Sequence, residues 1–258
     1  MPPDVDPCLG PSWLARIEDA GINASAPREQ RWVDGWLLRF SPGKAKRARC
    51  IQAVAPGRLG VAEKLARCLP VYAAAGLRPY VRITPFSEPA GLDDTLDAFG
   101  WERLDDTRVM VTRPAPPAAS LPAGYRLEPA DGARYTAWIA AARGSSAAEQ
   151  AAHAERIAAS PVSYRALLAV DAGGHAVAGG QVAVEGDVAG LYDVFSHEDQ
   201  RGRGLATGLC GALLALARDA GAGVAYLQVE AANEAARRVY RRLGFADAYA
   251  YHYRTPPG

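Results

Sequence analysis

The chain has no excess of either charge and no long hydrophobic run, and each absence argues against one kind of binding partner. Its 258 residues include 29 lysines and arginines and 28 aspartates and glutamates, for a net charge of +1. A balanced surface lacks the basic footprint that a nucleic acid or an anionic membrane attracts. The longest apolar stretch, Leu205 to Ala217, is far shorter than the ~20 residues that span a bilayer. We therefore expect neither nucleic acid nor membrane among its partners.

The sequence also has few cysteines and no export signal. Its four cysteines, Cys8, Cys50, Cys68 and Cys210, are far apart, with no C-x-x-C pair and no histidine at metal-ligand spacing. Reduced thiols and no metal site are therefore expected. Residues 1–6 are acidic and proline-rich, without the basic start and apolar core of an export signal. These features predict a cytoplasmic location.

What is present is the composition of a folded globular protein. The chain is 49% hydrophobic and 22% charged, as in domains that fill a core. Its length suffices for two domains of ordinary size. The clearest break is the proline-rich stretch at residues 112–122, where nothing periodic can be buried. We therefore predict a first domain at residues 1–115 and a second at residues 116–258.

The first half shows a hairpin pattern followed by helices and strands in alternation. Elements are predicted at residues 36–40 and 49–54 (strands joined through a turn at 41–43), 59–75 (helix), 80–84 (strand), 92–99 (helix) and 108–112 (strand). The basic run Lys44-Ala45-Lys46-Arg47-Ala48-Arg49 falls within the hairpin. We expect it to be a solvated edge without a function of its own.

The second half continues the mixed pattern. Elements are predicted at residues 125–128 (strand), 132–159 (two helices split near 144–146), 164–170, 176–184 and 188–196 (a meander of strands), 204–220 (helix), 224–229 (strand), 233–243 (helix) and 248–253 (strand). Both halves end alike, with Phe99-Gly100-Trp101 in one and Leu243-Gly244-Phe245 in the other. The pattern predicts an α+β fold and a duplicated domain.

One loop carries the clearest functional signal. A strand leads into residues 197–206, and a helix follows at once. Backbone N–H groups and the positive end of a helix dipole converge at such a junction, which favours an anion. Gly202 and Gly204 permit close approach of a phosphate, and Arg201 and Arg203 add charge at the rim. A diphosphate suits this loop, although a tight turn with a helix cap has the same pattern. The glycine spacings of a Walker loop and of a dinucleotide-binding fold are both absent.

Three motifs in this half resemble the GCN5-related N-acetyltransferase (GNAT) superfamily. Arg201-Gly202-Arg203-Gly204-Leu205-Ala206 is similar to its R/Q-x-x-G-x-G/A signature. Residues 226–229 resemble the strand that follows, and Asn233-x-x-Ala236-x-x-x-Tyr240-x-x-x-Gly244-Phe245 resembles the closing motif. The resemblance covers residues 125–253. It implies two tandem GNAT-like domains, each a mixed, mainly antiparallel sheet flanked by helices, of which the first lacks the glycine loop.

The resemblance also implies a reaction, in which acetyl-CoA is the acyl donor and a primary amine is the acceptor. The residues implied to hold acetyl-CoA are Val194, Phe195, Ser196, Arg201, Gly202, Arg203, Gly204, Leu205, Ala206, Thr207, Asn233 and Tyr240. Backbone N–H groups near Phe195 and Ser196 would polarise the thioester carbonyl. Tyr240 has the spacing from Asn233 that implies the acid for the departing thiolate; the alternative is an aromatic that packs its helix onto the sheet.

The general base is predicted from acidic residues near the loop. In some GNAT relatives that acylate protein N-termini a glutamate stands five residues before the asparagine, but this chain has Gln228 there. The acidic candidates are Asp193 and Glu230. We favour Asp193, because burial in an apolar strand would raise its pKa and suit it to receive a proton. Its alternative role is a structural hydrogen bond or an anchor for a substrate ammonium.

Two other functions are compatible with the sequence. A non-catalytic sensor or interaction module that binds CoA is one, and Gln228 at the usual place of the base favours it. A nucleotide-binding domain is the other, and it would prefer ATP or NAD to acetyl-CoA. Release of CoA with an amine would distinguish the enzyme from the sensor, and competition between acetyl-CoA and nucleotides would distinguish both from a nucleotide-binding domain.

Overall fold

The computed structural model describes residues 10–114 and 120–258 of the chain. In these residues the chain forms seven α-helices and an 11-stranded sheet. The predicted boundary between residues 115 and 116 lies outside the described residues, as does Cys8. No helix in the described ranges is long and apolar enough to cross a membrane.

The first half begins with a helix and a strand that the sequence did not reveal. Its elements are α1 (Pro11–Ala24), β1 (Glu29–Val33), β2 (Trp36–Phe40), a 3₁₀ turn (Lys46–Ala48), β3 (Ile51–Ala53), α2 (Val61–Ala74), β4 (Val81–Ile83), α3 (Leu92–Ala98) and β5 (Glu102–Thr112). The predicted elements from β2 onward are confirmed. The strand β1 is almost entirely exposed, so it lacks the period of two by which half-buried strands are recognised.

The second half has the predicted elements in the predicted order. They are β6 (Arg126–Ala130), α4 (Gly132–Ala142), α5 (Ala147–Ala158), β7 (Ser163–Val170), β8 (Ala176–Glu185), β9 (Val188–Ser196), α6 (Leu205–Asp219), β10 (Val224–Glu230), α7 (Glu234–Arg242) and β11 (Ala246–Thr255). The split between α4 and α5 falls where Gly144-Ser145-Ser146 predicts it. Ser146 forms a capping box with Glu149 at the start of α5.

The two halves exchange their last strands. The sheet order is β1-β2-β3-β4-β11-β5-β10-β9-β8-β7-β6. β5, from the first half, pairs with β10, whereas β11, from the second, pairs with β4. β5 and β11 also pair with each other at the centre. The predicted α+β fold of tandem mixed sheets is confirmed, and the exchange joins the sheets into one.

The exchange places first-half side chains in the second-half core. Met110 of β5 is fully buried in a cluster with residues of β10 and α6. Successive residues of a strand point to opposite faces of a sheet. Accordingly Leu227 packs on the face that α6 covers, which we call the α6 face, and Tyr226 packs on the face that α1 covers, the α1 face.

The helices α4 and α5 lie on the α1 face. Leu168 of β7 packs against α4, and Tyr164, four residues earlier and therefore on the same face, packs near α1. Arg156 of α5 reaches the carbonyl oxygen of Ala24 at the end of α1. Each face of the second-half sheet is thus covered by a different set of helices, with α6 on one face and α1, α4 and α5 on the other.

Candidate active site

The parallel strands β9 and β10 separate before they end. Their register runs from Val188 paired with Val224 to Leu191 paired with Leu227. Beyond that point β10 continues its pairing with β5, and β9 continues its pairing with β8. The two strands therefore open a wedge at their carboxyl ends, which is where ligands bind in parallel sheets.

A β-bulge lies in β9 at the mouth of this wedge. Between the pairs Gln181–Tyr192 and Gly179–Phe195, β9 has one residue more than β8. Asp193 adopts a left-handed conformation there, with φ of 51°. A bulge leaves main-chain groups without ladder partners. The backbone that borders the wedge can therefore form hydrogen bonds with a bound molecule.

The loop after β9 brings an uncapped helix start to the same place. Gly202 and Gly204 have φ of 77° and 85°, values that glycine adopts without steric cost. No side chain caps α6, whose N-cap is Gly204. The first N–H groups of α6 therefore have no intrahelical acceptor, and the positive end of its dipole adds to them. This geometry suits an anion.

A cleft of about 520 Å³ lies on this loop, between β9, α6 and α7. The predicted residues that line it are Val194, Phe195, Ser196, Arg201, Gly202, Gly204, Leu205, Ala206, Thr207, Asn233 and Tyr240. The side chain of Arg203 is turned away, since its guanidinium donates to the Tyr125 hydroxyl at 3.3 Å. Arg238 and Arg242 of α7 also line the cleft. This pair was not predicted from the sequence, although its spacing of four residues on a helix places both on one face.

Tyr240 faces the cleft and also packs α7. The Tyr240 ring packs edge to face against that of Phe245, with 5.9 Å between centroids. Tyr240 is buried. Burial raises the pKa of Tyr240 well above its usual value, because it disfavours the phenolate. The hydroxyl is therefore protonated at neutral pH.

Asn233 is the N-cap of α7 and lines the cleft as well. Its side-chain oxygen accepts a hydrogen bond from the N–H of Ala236 at 3.1 Å. The predicted cap is confirmed.

Replacement of Asn233 by alanine is expected to lower the free energy of unfolding by about 1 kcal/mol, the usual cost of losing an N-cap. Urea denaturation monitored by circular dichroism measures it. Asn233→Asp, which keeps an accepting oxygen, is the control and should unfold close to the unchanged protein. Equal stability of the alanine and aspartate variants would show that the cap contributes nothing.

Comparison with known proteins identifies the family. Residues 12–254 match the model of the family described as "Probable histone acetyltransferase Rv0428c C-terminal". The chain belongs to this family, within the GNAT superfamily. No curated protein matches the chain in sequence.

Solved GNAT structures share the fold across most of the chain. A GCN5-related N-acetyltransferase from Kribbella flavida is 20% identical, with a TM-score of 0.70 over 95% of this chain and 96% of its own. One from Sphaerobacter thermophilus is 21% identical, with a TM-score of 0.59 over 77% and 67%. A tandem GNAT protein from the clavulanic acid biosynthesis pathway is 16% identical, with a TM-score of 0.60 over 76% and 70%. At these identities the likeness concerns the fold.

In this GNAT chain Asp193 has an environment that differs from the prediction. Burial by itself raises the pKa of Asp193, but the His153 ring, 3.2 Å from Oδ2, and Arg143, which donates to Oδ1 at 2.7 Å, outweigh it and hold the pKa well below its usual value. The predicted raised pKa is therefore wrong. A carboxylate held as an anion in this way is a weak proton acceptor.

The other acidic candidate, Glu230, and the residue at the usual place of the base, Gln228, both have surroundings that the structure describes. Glu230 is exposed at the end of β10 and does not line the cleft. Gln228 accepts hydrogen bonds from Arg47 at 2.7 Å and from the Tyr251 hydroxyl at 2.9 Å. Arg47 also lies over the Tyr192 ring, 5.9 Å from its centroid. The prediction that the basic run is a solvated edge is therefore wrong for Arg47.

The corresponding helix of the first half has a filled anion position. The Asp34 carboxylate accepts from the N–H groups of Arg58 and Leu59 at 2.9 and 2.8 Å, just before α2. Lys64 of α2 pairs with the same carboxylate at 3.3 Å. An internal anion thus lies on the backbone just before α2, in the segment that corresponds to the glycine loop before α6. In the described ranges no cluster of histidine, cysteine and acidic residues could hold a metal ion.

Proposed function

We propose that this protein transfers an acetyl group from acetyl-CoA to a primary amine, and that residues 116–258 carry the acetyl-CoA site. The observation that supports this most is the cleft at the start of α6. Its walls bring together residues from the loop, β9 and α7 that the GNAT motifs single out. Membership of the family supports acetyl-CoA as the acyl donor. The primary amine is proposed here as the acceptor.

The residues of the cleft suit acetyl-CoA part by part. The backbone N–H groups of residues 202–207 would hold the diphosphate, as uncapped helix starts hold anions. Arg201, Arg238 and Arg242 line the same cleft and would supply positive charge to the phosphates. The backbone of residues 194–196, at the bulge, would pair with the amide arm. When bound, acetyl-CoA supplies the activated acyl group as a thioester.

The chain's own groups would then lower the barrier to transfer. Backbone N–H groups near Phe195 and Ser196 would polarise the carbonyl, and one such donor is typically worth about 2.7–4 kcal/mol of barrier. Tyr240 would give its proton to the departing thiolate. Neither Asp193, which Arg143 and His153 hold as an anion, nor the exposed Glu230 has the surroundings of a good base.

We also propose that the first half, residues 1–115, is a degenerate GNAT-like copy that does not bind the cofactor. The Asp34 carboxylate at the start of α2 supports this, because it would repel a diphosphate from the amides that it already bonds. The first half would instead form one wall of the acceptor site.

A panel of primary amines, assayed with acetyl-CoA and a thiol reagent, tests the proposed function. The panel should span amino acids, polyamines, aminoglycosides and lysine-containing peptides. Release of CoA that depends on the amine is the expected result. Tight binding of acetyl-CoA without release for any amine would favour a sensor. Stronger binding of ATP or NAD in competition calorimetry would favour a nucleotide-binding domain. Either result contradicts the proposal.

A further inference from the structure

A second pocket lies on the α1 face, where the two halves meet. Its volume is about 80 Å³. One wall is the loop from Ser41 to Ala45 of the first half, the other wall is formed by α4 and α5, and Asp193 of β9 lies between them. Neither half alone could form this pocket.

The pocket and the cleft approach the same bulge from opposite sides. Asp193 lines the pocket, and the next residue, Val194, lines the cleft. Gln181, whose amide lies 3.4 Å from the Asp193 carboxylate, shares its face with Gly179, which packs against Trp138 of α4. A molecule in the pocket and a thioester in the wedge would thus meet at one stretch of β9.

A histidine lies beside Asp193 in this pocket. His153 of α5 lines it, and its Nε2 is 3.2 Å from the Asp193 carboxylate. Arg143 bonds the other oxygen of that carboxylate at 2.7 Å. A carboxylate against one ring nitrogen orients an imidazole. With Nε2 beside the carboxylate, the other ring nitrogen, Nδ1, would be the one that accepts a proton from the pocket.

Cations outnumber anions around the pocket. The charged residues that line the pocket together with His153 are Lys44, Arg143, Arg156, Glu149 and Asp193. Lys44 pairs with Glu149 at 3.4 Å, and Arg143 pairs with Asp193. Arg156 donates to the carbonyl oxygen of Ala24 at 3.3 Å, and no carboxylate in the described ranges pairs with it. The charge of Arg156 also acts on Asp193, and the charged groups together leave the pocket with a net positive charge that favours an anionic ligand.

We propose that this pocket is the acceptor site, that it takes a small amine bearing an anionic group such as a carboxylate, and that His153 accepts the proton of the amine. Arg156 would bind the anionic group. This inference rests on the proposed acetyl transfer and adds to it the class of acceptor and the base. The first-half loop from Ser41 to Ala45, which includes Lys44 of the basic run, would form one wall of this site.

The transfer step balances with the groups in place. The amine nitrogen attacks the carbonyl carbon, so that a C–N bond forms and the C–S bond breaks. The proton that leaves the nitrogen goes to His153, and the sulfur receives one from Tyr240. Return of a proton from His153 to Tyr240 through solvent restores both groups. The products are the amide and free thiol, and no oxidant or reductant is needed.

Matched amines test the acceptor class. Lysine and cadaverine, and phenylalanine and phenethylamine, differ only in the carboxylate. We expect the carboxylate-bearing member of each pair to be acetylated at least about tenfold more efficiently in kcat/KM. Calorimetric titration of each amine into the CoA-bound protein should show the same order. In Arg156→Gln the preference should disappear while CoA affinity stays unchanged. Equal or faster turnover of the decarboxylated amines would overturn the assignment.

Replacement of His153 by glutamine tests the base. We expect kcat to fall by about 10²-fold, as for loss of a general base, with little change in KM for the amine or in CoA affinity measured by calorimetry. His175→Gln is the matched control, because His175 is 80% exposed in the turn before β8. Undiminished turnover in His153→Gln would refute the base. Absence of CoA release by the unchanged protein with every amine would instead refute the proposed function.

Discussion

Acetyl-CoA binding is expected to weaken by more than about 100-fold when Gly204 is replaced by aspartate. The residue has φ of 85°, and an L side chain in that conformation costs roughly 1–2 kcal/mol. The new carboxylate would also sit at the start of α6, where it would cap the open N–H groups and repel a diphosphate. Both effects act on the same site, and about 1.4 kcal/mol corresponds to a tenfold loss. Isothermal titration calorimetry with acetyl-CoA measures the change.

Two further variants separate charge from strain in this experiment. Gly204→Ala introduces the strained side chain without the charge and should weaken binding less. Gly221→Asp places the same residue at the other end of α6, where glycine has φ of 95° and an added Cβ meets nothing within 4 Å. It should bind acetyl-CoA as the unchanged protein does. If Gly204→Asp also retained full affinity, the loop would not be the diphosphate site.

Turnover is expected to fall by about 10²- to 10⁴-fold when Tyr240 is replaced by phenylalanine, the range typical of a lost general acid. The ring would remain, and with it the contact to Phe245, so the cleft should keep its shape. Affinity for acetyl-CoA should therefore change little. The raised pKa of Tyr240 means that the hydroxyl holds its proton throughout the neutral range. Steady-state kinetics with an amine from the panel, across pH, measure the loss.

A control for this change is available in the first half. Tyr72 is fully buried there, and its hydroxyl donates to the carbonyl oxygen of Arg39 at 3.1 Å. Tyr72→Phe removes a buried hydroxyl at a distance from the cleft, so it should lower stability by about 1 kcal/mol and leave kcat unaltered. Full turnover of Tyr240→Phe at every pH would show that the residue only packs α7 onto the sheet.

The parts of the site that follow one another in the chain could be predicted. The loop at residues 197–206 and the helix after it obey local rules, because left-handed glycines and helix starts depend on neighbouring residues. Asn233 likewise caps a helix that begins directly after it. For these elements the predicted positions agree with the structure to within a few residues.

The electrostatics of Asp193 could not be predicted in the same way. A strand of apolar residues around an aspartate indicates burial, and burial alone raises a carboxyl pKa. The partners that reverse the direction are Arg143, which directly follows α4, and His153 of α5. Arg47, assigned to a solvated edge, reaches Gln228 at a separation of 181 residues. No local pattern relates positions so far apart.

The sequence by itself determined the α+β class, the order of nearly all elements, the glycine loop and most of the residues that line the cleft. Tertiary structure alone decided that β5 and β11 change places, that the basic loop of the first half walls a pocket of the second, and that His153 stands against Asp193. The physical reason is the range of the forces concerned. Backbone conformation and periodic burial are set by neighbours in the chain, whereas strand pairing and the charge state of a buried group depend on whichever distant residues the fold brings into contact.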